Sequence, residues 1–143
     1  HTYEAHPMTL APAIAAIDEY RRLGLIERSA QMGEMLGQKL RALADKHPSV
    51  GDVRGIGLFW AVELVKDRTT KEPLATPQDK AARKPLVIDQ VAAEMTKRGV
   101  TVLAWVSHLV IAPPLIVTEE QLDEGIAALD AALAIADAHV ATR

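Results

Sequence analysis

The sequence contains no cysteine among its 143 residues. That absence excludes a disulfide scaffold, a thiol nucleophile and cysteine-ligated zinc, and it agrees with a cytoplasmic protein. Aromatic residues are scarce, with one Phe, two Trp and two Tyr, so the core must be built from Ala, Leu, Val and Ile, and a helix-rich core is expected. No apolar run approaches the roughly 20 residues of a membrane span, and no charged-then-apolar leader precedes the first helix, so no membrane partner is expected. Positive charge is not in excess: 16 Lys and Arg stand against 19 Asp and Glu, a formal net charge of -3. A phosphate backbone calls for a basic surface, which speaks against nucleic acid as the main partner. What remains is a chain of single-domain length with 49% hydrophobic residues, enough for a real core.

Residues 8–23 form an alanine-rich stretch closed by Gly24, which suits a left-handed helix cap. From Leu25 to Lys46, Leu25, Ile26, Ser29, Ala30, Gly33, Leu36, Leu40 and Leu43 recur three or four apart, with charged residues mostly on the other side. That spacing predicts an amphipathic helix. Gly33 and Gly37 lie close to the stripe and point to tight approach of a neighbouring backbone, because a glycine in a helix interior otherwise costs about 1 kcal/mol against Ala. Pro48 ends the helix. The run "HPSVGDVRGIGLFWAVELV" then reads as a strand, a tight turn or bulge at Gly55 to Gly57, and a longer strand from Leu58 to Val65. The second strand is apolar on both faces, as an interior strand would be. Residues 66–84 are charged and proline-interrupted, and read as a polar loop outside the core. A helix follows from about Leu86 to Lys97, closed by Gly99, and "VTVLAWVSHLVIAPPL" supplies two short strands before Pro113 and Pro114. Thr118 and Gln121 form a capping-box pattern that opens a last helix from Glu119 to about His139, with Leu122, Ile126, Leu129, Leu133 and Ile135 inward. The order predicts an α+β domain, helices packed on a short, mainly antiparallel sheet.

Direct catalytic signals are missing. The GxSxG elbow, the P-loop, HExxH and the dinucleotide GxGxxG are absent, and "RGIGLF" holds only a GxG ahead of a strand. His1 and His6 lack an evident third metal ligand. Asp52 with Glu63 as an acid pair, or Ser107 with His108 as a hydrolytic pair, lack a third group, and adjacent strand residues point to opposite faces. Arg54 reads as an anchor for a turn or an acidic partner.

Three separated motifs nonetheless form a pattern: HTYxxHP at the start, VRGxGLFWAxELV in the middle and APPLxxTEExxDE near the end. In this order, and over essentially the whole chain, the sequence resembles the C-terminal part of class III (omega-type) pyridoxal-phosphate aminotransferases, which have fold type I. Within the family the likeness leans to enzymes that use taurine or beta-alanine type donors. The resemblance implies that residues 1–24 are the end of a cofactor loop and an inter-domain helix. It implies that 25–143 form the small C-terminal domain, and that the N-terminal large domain is absent from this chain. It also implies that Thr2 binds the cofactor phosphate of the neighbouring subunit of a homodimer, flanked by His1 and Tyr3 as weaker contacts.

The family's catalytic lysine lies on the N-terminal side of the HTY motif and has no counterpart here, so this chain alone is expected to be inactive. Many members carry an arginine in the strand before the PPL motif that clamps the substrate carboxylate; between Gly99 and Pro113 this chain has none. Trp105 and His108 occupy that neighbourhood and are the candidate pocket residues, Trp105 as a wall. Two readings follow. One is a segment of a transaminase that moves an amino group from an omega-amino donor to a 2-oxo acid such as pyruvate or 2-oxoglutarate. The other is a non-catalytic helical dimerisation or interaction module derived from that domain. The opening "HTYEAHP" reads as an interior loop, which favours the first.

Overall fold

The computed structural model describes Thr2 and residues 6–141. The chain runs α1 (Pro7–Arg22), α2 (Leu25–Lys46), β1 (Val50–Ile56), β2 (Phe59–Asp67), β3 (Glu72–Pro73), α3 (Pro77–Ala81), α4 (Val87–Lys97), β4 (Leu103–Trp105), β5 (His108–Ile111) and α5 (Glu119–Asp137). The sheet is antiparallel, in the order β1-β2-β5-β4, with the short β3 paired to the far end of β2. The interior place expected for the second strand is the one β2 takes.

One face of this sheet carries the core. Trp60, Val62, Leu64 and Leu109 are buried there against Leu36 and Leu40 of α2, Ile88, Val91 and Met95 of α4, and Leu122, Leu129 and Leu133 of α5. Ile126 and Ile135, expected inward, are only partly buried, and the alanines Ala128, Ala132 and Ala136 take over much of the helix contact. Small residues let α5 lie close to its neighbours. On α2 the stripe holds from Leu25 to Leu43, except that Ile26 is 72% exposed and Ala30 is also exposed. α1 has no buried residue at all.

The stretch 66–84 corrects the expectation of a polar loop. It contains β3 and α3, and between them Leu74 and Ala75 are buried in the core cluster. The many charges there conceal a two-residue apolar anchor that a periodicity argument does not detect. The strand boundaries also move: the turn falls at Gly57 and Leu58, and the irregularity in β1 lies between Val50 and Asp52.

The two α2 glycines are required by contact. A Cβ on Gly33 would fall on the Gly57 backbone, and one on Gly37 would fall on the Trp60 ring. Gly57 itself, at φ 52, makes the β1–β2 turn in the left-handed region. The Trp60 indole N–H donates to the Gly57 carbonyl at 2.7 Å, so turn, ring and helix fix one another.

At the other end, buried His47 caps α2 and stands between two carboxylates of α5, with Nδ1 2.7 Å from Asp137 and Nε2 2.6 Å from Asp130. Asp137 also accepts from the Ser49 hydroxyl at 2.6 Å and the Ser49 N–H at 3.1 Å. Burial pushes the Asp137 carboxyl up, but the Ser49 and His47 hydrogen bonds outweigh it and hold it below its ordinary value. Lys46 first, and then His47, lowers Asp130 in the same way.

Two outcomes test this packing in the full-length protein. Gly33→Ala is expected to destabilise by about 1–3 kcal/mol in urea unfolding, against the roughly 1 kcal/mol that Ala gains in an unobstructed helix; a stabilised variant would remove the close contact. Asp137→Ala is expected to cost on the order of 2–3 kcal/mol at neutral pH. A carboxylate with a lowered folded-state pKa stabilises above its unfolded value near 3.9, and that contribution disappears as pH falls through the lower folded value. The gap between wild type and variant should therefore close in acid, as thermal melts across the pH range will read.

Candidate functional site

The sheet face turned away from the helices is uncovered. On it Ile56 is 83%, Phe59 60%, Leu103 61% and Trp105 59% exposed. Strand register places one residue from each of the four main strands in a single row across this face: Asp52 opposite Glu63, Glu63 opposite His108, and His108 opposite Trp105. Side chains in such a row share a face and stand one strand spacing apart.

The row is electrostatically ordered. One guanidinium nitrogen of Arg54 donates to Asp52 at 2.6 Å and to Glu63 at 2.8 Å, and these two bonds, Asp52 first, push the Arg54 pKa further up. The acid pair considered from sequence is thus brought together, but an arginine bridges it and ties up both carboxylates. Arg54 has the acidic partners expected of it. His108 Nε2 lies 3.4 Å from Glu63 on the next strand. Ser107 sits in the two-residue β4–β5 turn, buried, with its carbonyl accepting from the Leu64 N–H at 2.8 Å. No hydrogen bond joins it to His108, so the hydrolytic pair does not form. The other turn residue, Val106, adopts φ 57, an uncommon conformation for a β-branched side chain.

Lys80 completes the row at its far end. Its Nζ lies 3.7 Å from the centroid of the Trp105 ring, a cation–π contact. The residue arrives there on α3, which is fixed by a reciprocal capping box: Thr76 and Asp79 each bond the other's backbone N–H. Lys84, 2.6 Å away, is the main cause holding the Asp79 carboxyl well below the usual carboxylate range, with the Thr76 hydroxyl and backbone adding to it. Lys80 is the site residue that the sequence reading missed. The T-P-Q-D pattern directly after the apolar Leu74–Ala75 pair is the signal that would have found it.

Elsewhere, Arg28 of α2 ties down the PPL turn by donating to the carbonyls of Leu115 at 3.2 Å and Val117 at 2.5 Å. An open apolar cleft of about 890 Å³ lies beside this turn, lined in part by Phe59, Leu103, Pro113 and Ile126; neither Trp105 nor His108 borders it. Thr2 is exposed and precedes α1, whose N-cap is His6 with its ring accepting from the Met8 N–H. The first turn of α1 holds no acidic residue, which suits an anion near the positive end of its dipole. His1 and Tyr3 lie outside the described residues. Among the described residues no cluster of His, Asp or Glu could hold a metal ion, and no helix is long and apolar enough to cross a membrane.

The chain is a short antiparallel sheet covered on one face by helices, and solved fold type I pyridoxal-phosphate transaminases share this fold over about 30% of their own length. A solved taurine:2-oxoglutarate aminotransferase from Bifidobacterium kashiwanohense, in complex with pyridoxal phosphate and glutamate, superposes with a TM-score of 0.85 at 31% identity, over 99% of this chain and 31% of its own. The aminotransferase class-III family matches residues 1–133, and the chain belongs to that family, whose cofactor is pyridoxal phosphate. A taurine–pyruvate aminotransferase from Rhodobacter capsulatus is 42% identical over 128 residues, 87% of this chain and 27% of its own length. An ethanolamine-phosphate phospho-lyase homolog from Caenorhabditis elegans is 37% identical over 138 residues, 94% of this chain and 28% of its own. The chain therefore spans under a third of the length of these relatives.

Asp79→Ala in the full-length protein should loosen α3. Trypsin is expected to cut after Lys80 and Arg83 faster than in wild type, whereas Lys84 is shielded by the Pro85 that follows it, and unchanged digestion would show that the capping box does not hold the segment.

Proposed function

We propose that this chain is the C-terminal segment of a transaminase that moves an amino group from an omega-amino donor, of taurine or beta-alanine type, to a 2-oxo acid such as pyruvate or 2-oxoglutarate. The observation that carries the reading is the open sheet face: an ordered polar row flanked by exposed apolar residues, in a chain spanning under a third of its relatives' length. The division of labour follows. Residues 1–24 end the cofactor loop and cross between domains, and 25–143 form the small domain, which closes one side of the pocket beneath the large domain of the full-length protein.

Within that arrangement each residue has a definite task. The Thr2 hydroxyl donates to a phosphate oxygen of the cofactor held by the neighbouring subunit of a homodimer, beside the positive end of the α1 dipole. His1 and Tyr3 flank it. The chain's exposed hydroxyl and acid-free helix start suit one corner of a phosphate site and nothing more of the cofactor. Trp105 walls the substrate pocket and excludes water from it, and His108, turned by Glu63, lies beside it. Pyridoxal phosphate, when bound, supplies the electron sink that lets an amino group leave one carbon and join another. The lysine that carries the cofactor belongs to the remainder of the protein, so these 143 residues do not transaminate by themselves.

The test uses the full-length protein. Taurine or beta-alanine with pyruvate or 2-oxoglutarate should give alanine or glutamate, and no amino transfer from either donor would overturn the reading. Thr2→Ala should weaken cofactor retention by one charge-assisted hydrogen bond, about 1.5–3 kcal/mol or roughly 10- to 100-fold in Kd. Unchanged retention would take Thr2 out of the phosphate site.

A further inference from the structure

We infer that Lys80, seated on the Trp105 indole, is the cation that receives the acidic group of the amino donor. This deepens the function proposed above and rests on it. The starting point is a deficit: strands β4 and β5 and their turn carry no arginine or lysine, so the wall nearest Trp105 has no permanent positive charge of its own. The α3 segment brings one from 25 residues earlier in the chain, since Lys80 lies with its Nζ 3.7 Å from the Trp105 ring centroid.

Lys80 differs from the other lysines in what it meets. Lys39, Lys46, Lys66, Lys84 and Lys97 each have a carboxylate within ion-pair distance, and Lys71 donates to the Gly51 carbonyl. Among the described residues, Lys80 has no carboxylate partner and faces only the indole. Its nearest acidic neighbour in sequence, Asp79, is already bonded by the Lys84 ammonium and the Thr76 hydroxyl, both at 2.6 Å. Arg54, the other cation on this face, is occupied by Asp52 and Glu63. Glu63 is two strand spacings from Trp105 in the row, roughly 10 Å, and faces Arg54 and His108. A substrate anion placed against Trp105 therefore meets one uncompensated cation before it meets a carboxylate.

The support of Lys80 is built rather than incidental. Leu74 and Ala75 bury the segment in the core, and the capping box and the Lys84 pair fix α3. An ammonium lying on a ring face keeps N–H donors directed away from the ring, toward whatever covers it. The choice of lysine also has a chemical consequence. A guanidinium fork matches a planar carboxylate bidentately, whereas an ammonium is a point charge indifferent to the shape of the anion. A lysine site accepts a tetrahedral sulfonate as readily as a carboxylate.

The experiment compares the full-length holoenzyme with its Lys80→Met and Lys80→Arg variants, using taurine, beta-alanine and uncharged propylamine as donors. Lys80→Met is expected to lower kcat/KM for taurine and beta-alanine by roughly 10- to 100-fold, the loss of one charged hydrogen bond, while propylamine changes by less than about twofold. Lys80→Arg should restore beta-alanine more fully than taurine. Calorimetric titration with ethanesulfonate, which has no amine, should show binding to wild type and its loss in Lys80→Met. Equal losses for all three donors would make Lys80 a structural residue, and unchanged acidic-donor kinetics would take it off the substrate; either overturns the inference while leaving the transaminase reading intact. A wild-type enzyme that transaminates no acidic donor overturns both.

Discussion

The approach of α2 to the β1–β2 hairpin is the contact on which the rest of the structure depends. Because Gly33 and Gly37 have no side chain, the helix backbone reaches the Gly57 turn and the Trp60 ring directly. That approach presses Trp60, Val62 and Leu64 inward and commits one face of the sheet to the helices. Strand residues alternate between faces, so the opposite face is settled at the same moment. The Arg41 guanidinium lies 5.2 Å from the Trp60 ring centroid and covers its outer side. A one-residue slip in β2 would turn Glu63 into the core and Val62 into solvent, so the order of the row from Asp52 to Trp105 depends on a helix packed on the opposite face of the sheet.

Polar chemistry on this molecule is sorted by depth. Buried His47 and Ser49 meet the half-buried Asp130 and Asp137, and every polar atom of the group is engaged; it ties the end of α2 and the start of β1 to α5. Such networks rigidify when fully satisfied. The outer row runs from exposed ends to a half-buried middle at Glu63 and His108, with Arg54 neutralised by two carboxylates at one end and the Lys80 ammonium on an aromatic face at the other. The first kind of cluster holds elements in place, and the second leaves a charge available to a ligand.

Much of this was legible in the sequence because it rests on local pattern. The three-or-four spacing in α2 and α5, the close approach at Gly33 and Gly37, the interior place of β2 and the Thr118–Gln121 capping box are all short-range signals. The candidate residues Trp105 and His108 do stand side by side, and Arg54 does hold acidic partners. The remainder depends on pairings over distance. His47 meets aspartates 83 and 90 residues later, Arg28 reaches carbonyls 87 and 89 residues later, and the row exists only once β2 pairs with β5. Residues 66–84 were misread for a different reason: two buried side chains, Leu74 and Ala75, are enough to anchor the segment, and charged neighbours outnumber them in any window.

α1 leads to a thermodynamic consequence. Sixteen residues long, it buries none of its side chains, while Leu10, Ile14, Ile17 and Tyr20 are exposed. A helix only slightly longer than the range that is marginal in water gains little from burial here, so a surface that covered those residues would add to its order. Thr2 lies just ahead of it. On the reading proposed above, the threonine that holds a neighbour's phosphate is set in place by the same covering event, and cofactor capture and subunit assembly become linked equilibria. Each then strengthens the other by mass action, and dilution would release cofactor and partner together.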